Sequence, residues 1–369
     1  MRLLICAGGT GGGVYPALAV LQAMEGKYSE FLWVGGEGGM ESELINRKDL
    51  PFREIPAAGV HGVGLRTLPS NVFKLLKGIV QSRRIIKEFE PDVIFYTGGY
   101  VAAPMAVAGM KVPSVLYVPD IEPGFALNFL AKFARAIALT TETSKQFFSK
   151  SKELVVTGYP IRSELRKYAK AEALRILNLT NDLPVLMVYG GSKGAHSINQ
   201  VIIKNLETLL SKFQLIHIVG NYDWKQVQEV LNSLPEKLSQ NYHCYSYLHE
   251  EMSAAFSSAD LCICRSGAST LGELPFFGLP AILVPYPYAW RYQKTNAEYL
   301  VNNQAALLIP DEELEKRLMV EMNQLLDSPE KLSEMRTAMS SLAKTNAADH
   351  IASLISNQVS SSNKKGGLS

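Results

Sequence analysis

The chain has 369 residues, 47% hydrophobic and 20% charged, with 28 glycines and 18 prolines. That is a globular composition too long for one ordinary core, so two domains are expected. A net charge of +2 excludes a global basic field for nucleic acid, and no stretch approaches the ~18 uninterrupted apolar residues of a membrane span.

In chain order, the first apolar run, Leu3–Cys6, is too short for a signal peptide and ends as a first strand does. Further strand-like runs are Phe31–Val34, Val93–Tyr96, Ser114–Val118 and Leu154–Val156, then Val185–Tyr189, Gln214–Val219, Leu261–Cys264 and Ala281–Val284. Stretches such as Pro16–Met24 and Ser197–Ser211 carry apolar residues at helical spacing between them. Continuous apolar strands separated by amphipathic helices predict α/β architecture with parallel sheets covered on both faces. Three of the four cysteines, Cys6, Cys244, Cys262 and Cys264, lie in such runs. With no C-x-x-C pair they read as buried structural thiols in a reducing compartment.

The sequence also echoes itself. Leu3-Leu4-Ile5-Cys6-Ala7-Gly8-Gly9-Thr10-Gly11-Gly12 returns as Val185-Leu186-Met187-Val188-Tyr189-Gly190-Gly191-Ser192-Lys193-Gly194. Each is a strand, a Gly-Gly-hydroxyl-x-Gly turn and a helix. The chain therefore reads as two similar doubly wound units, divided near Gly158–Pro184, whose glycine loops would share a cleft. A last helical pattern, Glu330–Ile355, would pack back on both units, and the serine- and lysine-rich stretch 356–369 reads as a disordered tail.

Glycines after a strand let backbone approach a ligand, and the next helix offers N–H groups and the positive end of its dipole to an anion. Neither loop has the Gly-Lys-Ser/Thr ending of a P-loop, and Gly9-Thr10-Gly11 meets Val14 where the dinucleotide fingerprint needs glycine. Glu37 could imitate the ribose-binding acid of that fingerprint, which keeps an NAD oxidoreductase as a rival. More specific is Arg265-Ser266-Gly267-Ala268-Ser269-Thr270 with Glu273, between a strand and a helix. Small hydroxyls and glycine at a helix start suit a diphosphate, and a carboxylate one turn on suits a ribose diol; a plain capping box is the competing reading. Downstream, Gln293 and Asn296 could meet sugar hydroxyls and Tyr286, Tyr288 or Trp290 a sugar face. The basic amphipathic pattern Pro69–Lys87 fits either a core-packed helix or one resting on an anionic membrane.

Across Met1 to about residue 355 these motifs, with Pro16-Ala17-Leu18-Ala19, Thr97-Gly98-Gly99-Tyr100, Thr157-Gly158-Tyr159-Pro160-Ile161-Arg162, Ala195…Asn199 and Gln293…Asn296-Ala297, resemble the MurG-type N-acetylglucosaminyltransferases. The resemblance implies the glycosyltransferase-B fold, with two doubly wound Rossmann-like domains facing a cleft. It implies inverting transfer of N-acetylglucosamine from UDP-N-acetylglucosamine to lipid I, giving lipid II for peptidoglycan, without metal or cofactor and at the cytoplasmic membrane face. Residues 1–160 would form the acceptor and membrane side, 161–335 the UDP-sugar domain, and 336–355 a helix returning to the first domain. Ser192 and the Ser269–Thr270 backbone would hold the diphosphate, Glu273 the ribose and Gln293 the sugar, with Asn296 beside it. Thr10, Gly11, Gly12 and Arg162 would complete the cleft. Phe73, Leu76 and Val80, rimmed by Lys74, Lys77, Arg83 and Arg84, would face an anionic membrane.

Two positions depart from the family pattern. Gly13 stands where a histidine is usual, and Tyr117-Val118-Pro119-Asp120 replaces His-Glu-Gln-Asn before Pro123-Gly124. Transfer still needs a group to take the acceptor proton, which makes Asp120 and Glu122 the expected catalytic carboxylates. A different acceptor, an inactive nucleotide-sugar-binding homologue and an epimerase are the remaining alternatives.

Overall fold

A computed structural model describes residues 1–9, 11–59, 67–191, 194–288 and 292–366. The chain divides into two compact units, Met1–Arg162 with Thr345–Ser369, and Ser163–Lys344.

The first unit is built on strands β1 (Arg2–Cys6), β2 (Glu30–Gly36), β3 (Phe52–Ile55), β4 (Val93–Tyr96), β5 (Ser114–Val118), β6 (Ala136–Leu139) and β7 (Glu153–Val156). They form one sheet in the order β3-β2-β1-β4-β5-β6-β7, parallel at every pairing. In β1, β4 and β5 both faces are covered, so apolar residues follow one another without alternation: Leu3, Leu4 and Ile5 are wholly buried, as are Val93, Ile94 and Phe95. Burial of each such side chain contributes roughly 1.5–3 kcal/mol. Among the helices are α1 (Gly11–Ala23), α2 (Met40–Asn46) and α3 (Leu68–Phe89).

The second unit repeats the plan with β8 (Val185–Tyr189), β9 (Gln214–Ile218), β10 (Tyr242–Tyr245), β11 (Leu261–Cys264), β12 (Ala281–Leu283) and β13 (Ala306–Leu308). Its parallel order is β10-β9-β8-β11-β12-β13. The internal echo is thus an echo of topology. In each sheet the first strand has its successor on one side and a later strand on the other, so the winding reverses between β1 and β4 and between β8 and β11. A crevice at the carboxyl ends of the strands opens at such a reversal.

Strands β3, β6, β10 and β13 escape the sequence reading; β3, Phe52-Arg53-Glu54-Ile55, carries charge at a sheet edge. The pattern Glu330–Ile355 is two helices. Pro329–Ser341 lies in the second unit, where Gly278 abuts Ser340, and Ala347–Gly366 lies in the first, against α1, β4, β5 and β6. The second helix continues to Gly366, across most of the stretch read as a tail. Ile351, Ile355 and Gln358 extend one buried face, and Gln358 donates to Glu153 at 2.9 Å. All four cysteines are free and lie in strands.

Candidate active site

In the first unit the glycine loop leaves β1 at the reversal point and Thr97–Tyr100 leaves β4 beside it. Gly9 (φ +87°) and Gly99 (φ +82°) adopt left-handed backbone, and a Cβ on Gly99 would run into the Gly8 carbonyl. The two loops approach one another because neither carries a side chain there. Gly11 and Gly12 form the first residues of α1, with Gly11 packed near the Tyr15 ring; Thr10 lies outside the described residues. Arg162 sits over the Tyr15 ring at 5.3 Å, which brings it to the helix that follows this loop.

Gly13 is buried in α1, where an added Cβ would stand 3.3 Å from Thr97 Oγ1. That hydroxyl is buried and has no hydrogen-bond partner among the described residues. Tyr117 faces the core: its hydroxyl lies 2.9 Å from Thr140 Oγ1, and its ring meets Tyr159 edge-on. Burial, foremost, pushes this phenol well above its ordinary range, so Tyr117 is no proton acceptor. Asp120 and Glu122 follow β5 at its carboxyl end, both half-buried and both engaged in polar contacts. Glu37, the imitator of a ribose-binding acid, is exposed.

One residue of this site left no mark in the sequence reading. Glu41, in the first turn of α2, is 1% exposed. Its Oε2 accepts from the Gly9 N–H at 3.0 Å and its Oε1 from the Gly36 N–H at 2.8 Å.

In the second unit Gly190 and Gly191 follow β8 and Arg265–Ser269 leaves β11, again at the reversal. Ser192 lies outside the described residues. Gly191 (φ +85°) faces open space, whereas a Cβ on Gly194 (φ +79°) would overlap the Val219 carbonyl. Gly267 also faces open space. The helix Thr270–Phe277 starts with tight turns, Thr270, Leu271 and Gly272 donating to Gly267, Ala268 and Ser269 at 3.0–3.1 Å. Among the described residues no carbonyl accepts from the N–H of Ala268 or Ser269, which leaves them for an anion at this dipole end. The capping-box reading fails. Ser269 makes no side-chain cap, and the Thr270 hydroxyl donates to the Gly267 carbonyl at 2.6 Å.

Glu273 is 5% exposed on the same helix. Nearby, the Tyr189 hydroxyl is buried; burial pushes it up first, then the Cys264 and Cys262 thiols and the Glu273 carboxylate. Gln293 Oε1 accepts from the Tyr286 N–H at 2.8 Å, and its backbone carbonyl accepts from Ser266 Oγ at 2.7 Å. Asn296 is wholly buried, with its Nδ2 on the Ser266 carbonyl at 3.1 Å. Its amide therefore shapes the Ser266 loop.

Two buried clusters fix these loops. Arg265 pairs with Asp311, donates to Ser197 Oγ at 2.8 Å and to the carbonyls of Val284 and Pro285 at 3.2 and 3.3 Å, and stacks over Tyr286. Behind the glycine loop, Asn199 Nδ2 donates to the Val219 carbonyl (2.9 Å) and to Asp223 (2.7 Å), while its Oδ1 accepts from His217 Nε2 at 3.0 Å. His217 Nδ1 then accepts from the Tyr242 hydroxyl at 2.9 Å. Burial lowers His217 to about 3, so the ring is neutral at ordinary pH. Sequence could flag Asn199 only as part of a motif; nothing local marks His217 or Asp311. Among the described residues there is no cluster of three or more His, Cys, Asp or Glu side chains able to hold a metal.

On α3, Gly78, Ser82, Ile85 and Phe89 face inward, while Phe73, Leu76 and Val80 are 69%, 57% and 65% exposed. Lys74, Lys77, Arg83 and Arg84 are exposed around them, Arg84 paired with Glu88 at 2.7 Å. The stripe is therefore not explained by packing on the unit's own core. No helix among the described residues is long and apolar enough to cross a membrane.

Residues 3–139 match the glycosyltransferase family 28 N-terminal domain and 185–353 the C-terminal domain of that family. A UDP-N-acetylglucosamine--N-acetylmuramyl-(pentapeptide) pyrophosphoryl-undecaprenol N-acetylglucosamine transferase of Roseiflexus sp. (strain RS-1) is 36% identical, over 96% of this chain and 94% of that one. The enzyme of the same description from Bacillus pumilus (strain SAFR-032) is 33% identical, over 95% and 97%. Among solved structures, Acinetobacter baumannii MurG superposes with a TM-score of 0.77 at 26% identity, covering 96% and 99% of the two chains. A UDP-GlcNAc 2-epimerase from Neisseria meningitidis shares the fold (TM-score 0.65) at 13% identity.

Proposed function

Because the chain belongs to the MurG family of glycosyltransferases, we propose how its two units divide one reaction, the transfer of N-acetylglucosamine from UDP-N-acetylglucosamine to lipid I to give lipid II. The observation that carries the division is that each unit places a glycine loop and a second loop at its own winding reversal, while in the second unit the helix that directly follows the second loop carries a buried carboxylate, Glu273, one turn in.

The second unit takes the donor. The N–H groups of Ala268 and Ser269 and the start of Thr270–Phe277 meet the diphosphate and stabilise the charge that grows on it as the glycosidic bond breaks. Glu273 accepts from the ribose hydroxyls, and Gln293 meets the sugar. Ser192 joins them from the glycine loop. The first unit takes the acceptor along Gly11, Gly12, Arg162 and the Asp120–Glu122 loop. The acceptor hydroxyl attacks the anomeric carbon from the face opposite the leaving UDP, which inverts the centre. Its proton passes to Asp120 or Glu122, since Gly13 has no side chain and Tyr117 is buried. The α3 stripe rests on the anionic membrane surface that holds the lipid, with Phe73, Leu76 and Val80 inserted and the basic rim on head groups. Four free thiols favour the reducing, cytoplasmic side.

The test is transfer of labelled sugar to lipid I in detergent. Labelled lipid product supports the reading. UDP release without it shows a different acceptor, and tight donor binding without turnover shows a binding protein. Asp120→Asn and Glu122→Gln should keep donor affinity, and at least one should lose turnover; full turnover in both removes these carboxylates from the mechanism.

A further inference from the structure

Glu41 is an unusual place to put a charge. It is 1% exposed, forms no ion pair among the described residues, and is held by backbone alone. A buried carboxylate is costly unless its oxygens are hydrogen-bonded. Here two N–H groups meet one oxygen each, and the first turn of α2 adds its dipole.

The surroundings are built to admit it. A Cβ on Gly8 or on Gly39 would overlap the Glu41 carboxylate; one on Gly35 would lie 2.7 Å from the Phe52 ring and 2.8 Å from the Glu41 Cγ, and one on Gly36 3.6 Å from Oε1. Four glycines thus line one side chain. On its other side Gly8 is pressed by Gly99, so the turn after β1 is clamped between the carboxylate and the β4 loop. Cys6, at the end of β1, registers the same charge, its thiol pushed up by burial first and by Glu41 second.

We propose that Glu41 is the positioning residue of the first glycine loop. Its carboxylate draws the Gly9 N–H inward, fixes the Gly8–Gly9 turn, and so sets the surface that Gly11, Gly12 and the start of α1 present to the acceptor. The proposal rests on the reading that this unit receives the acceptor. Glu41 touches no substrate; it acts through backbone.

Glu41→Gln in the full-length protein is the test, assayed with labelled UDP-N-acetylglucosamine and lipid I. The side chain keeps its shape, but its NH2 must face one of two N–H donors, so one bond is lost in either orientation. The expected result is a tenfold or greater fall in kcat, with KM for the donor unchanged within twofold and little change in Tm. Gly8→Ala, which pushes the carboxylate from the opposite side, should give the same split. The double variant should be no worse than the poorer single, because both act through one contact. Wild-type kcat in Glu41→Gln overturns the proposal, as does a loss that tracks Tm and donor KM together. If neither variant folds, hydrogen exchange on the wild-type protein decides: Gly9 and Gly36 amides should be protected, and rapid exchange at Gly9 refutes the clamp. If the wild type uses another acceptor, the same kcat split on that acceptor still tests Glu41, while lipid I as acceptor falls separately.

Discussion

Gly267→Ala separates ligand contact from folding in the loop proposed to hold the donor. A Cβ there meets no described heavy atom within 4 Å, and the residue is outside the left-handed region. Folding should therefore be unmoved, within about 0.5 kcal/mol, or slightly favoured because the unfolded chain loses freedom. The methyl group would occupy the space through which a diphosphate reaches the N–H groups of Ala268 and Ser269. Losing even one charge-assisted hydrogen bond costs about 1.5–3 kcal/mol, so UDP-N-acetylglucosamine should bind at least tenfold more weakly, 1.4 kcal/mol per tenfold. Calorimetric titration and a melting curve on the same sample give both quantities. Gly194→Ala is the contrast, since φ +79° and overlap with the Val219 carbonyl should lower Tm as well as affinity. If Gly267→Ala melts as wild type and binds the donor within twofold, the diphosphate does not lie against this turn.

Arg265→Met leaves Asp311, whose side chain is 18% exposed, with the Ser197 hydroxyl but without its cation, and removes donors from two carbonyls and Ser197. Breaking a buried pair costs about 3–5 kcal/mol, so the second unit should melt about 10 °C lower; an unchanged Tm would mean the pair is dispensable. His217 is buried neutral with its pKa lowered from 6.5 to about 3. Between these values the unfolded chain binds the extra proton, so stability is complete above about pH 6.5 and falls with acid, by about 2 kcal/mol near pH 5. Denaturant titrations at pH 5 and 7.5 should show that slope, and it should flatten in His217→Gln. Changing Phe73, Leu76 and Val80 together to Ser should weaken binding to anionic vesicles by roughly a hundredfold, about 1 kcal/mol per side chain. Transfer to lipid I in detergent should persist, and unaltered vesicle binding would remove α3 from the membrane.

The fold was legible because buried parallel strands write themselves as uninterrupted apolar runs. Val93–Tyr96 and Leu261–Cys264 could be read directly, and the glycine loops after β1 and β8 announced the two winding reversals. Edge strands such as Phe52–Ile55, with solvent on one side, lack that signature. The loops proposed to hold the donor were legible for a related reason: at Gly267 and Gly191 an added Cβ would meet no described atom within 4 Å. What holds those loops was not. Arg265 reads as part of a binding motif, yet its guanidinium is occupied by Asp311, Ser197 and two carbonyls. Asn296 reads as a sugar contact, yet it is buried on Ser266. Glu41 and His217 gave no signal, because Glu41 is held by the backbone N–H groups of Gly9 and Gly36, which carry no side chain to mark the contact, and the partners of His217, Asn199 and Tyr242, lie 18 and 25 residues away. Sequence patterns report burial and turn geometry; they do not report which polar atom finds which.

The helix Ala347–Gly366 has a consequence for how the protein is made. It covers α1, β4, β5 and β6, all of them encoded before residue 140. During synthesis that sheet face waits, uncovered, while the whole second unit is translated. Ser163–Lys344 is contiguous in sequence and can complete itself as it emerges, whereas the unit begun first is finished last. Until then its apolar face is open to chaperones or to a neighbouring nascent chain, and a premature stop after residue 344 would leave the second unit intact while exposing the core of the first.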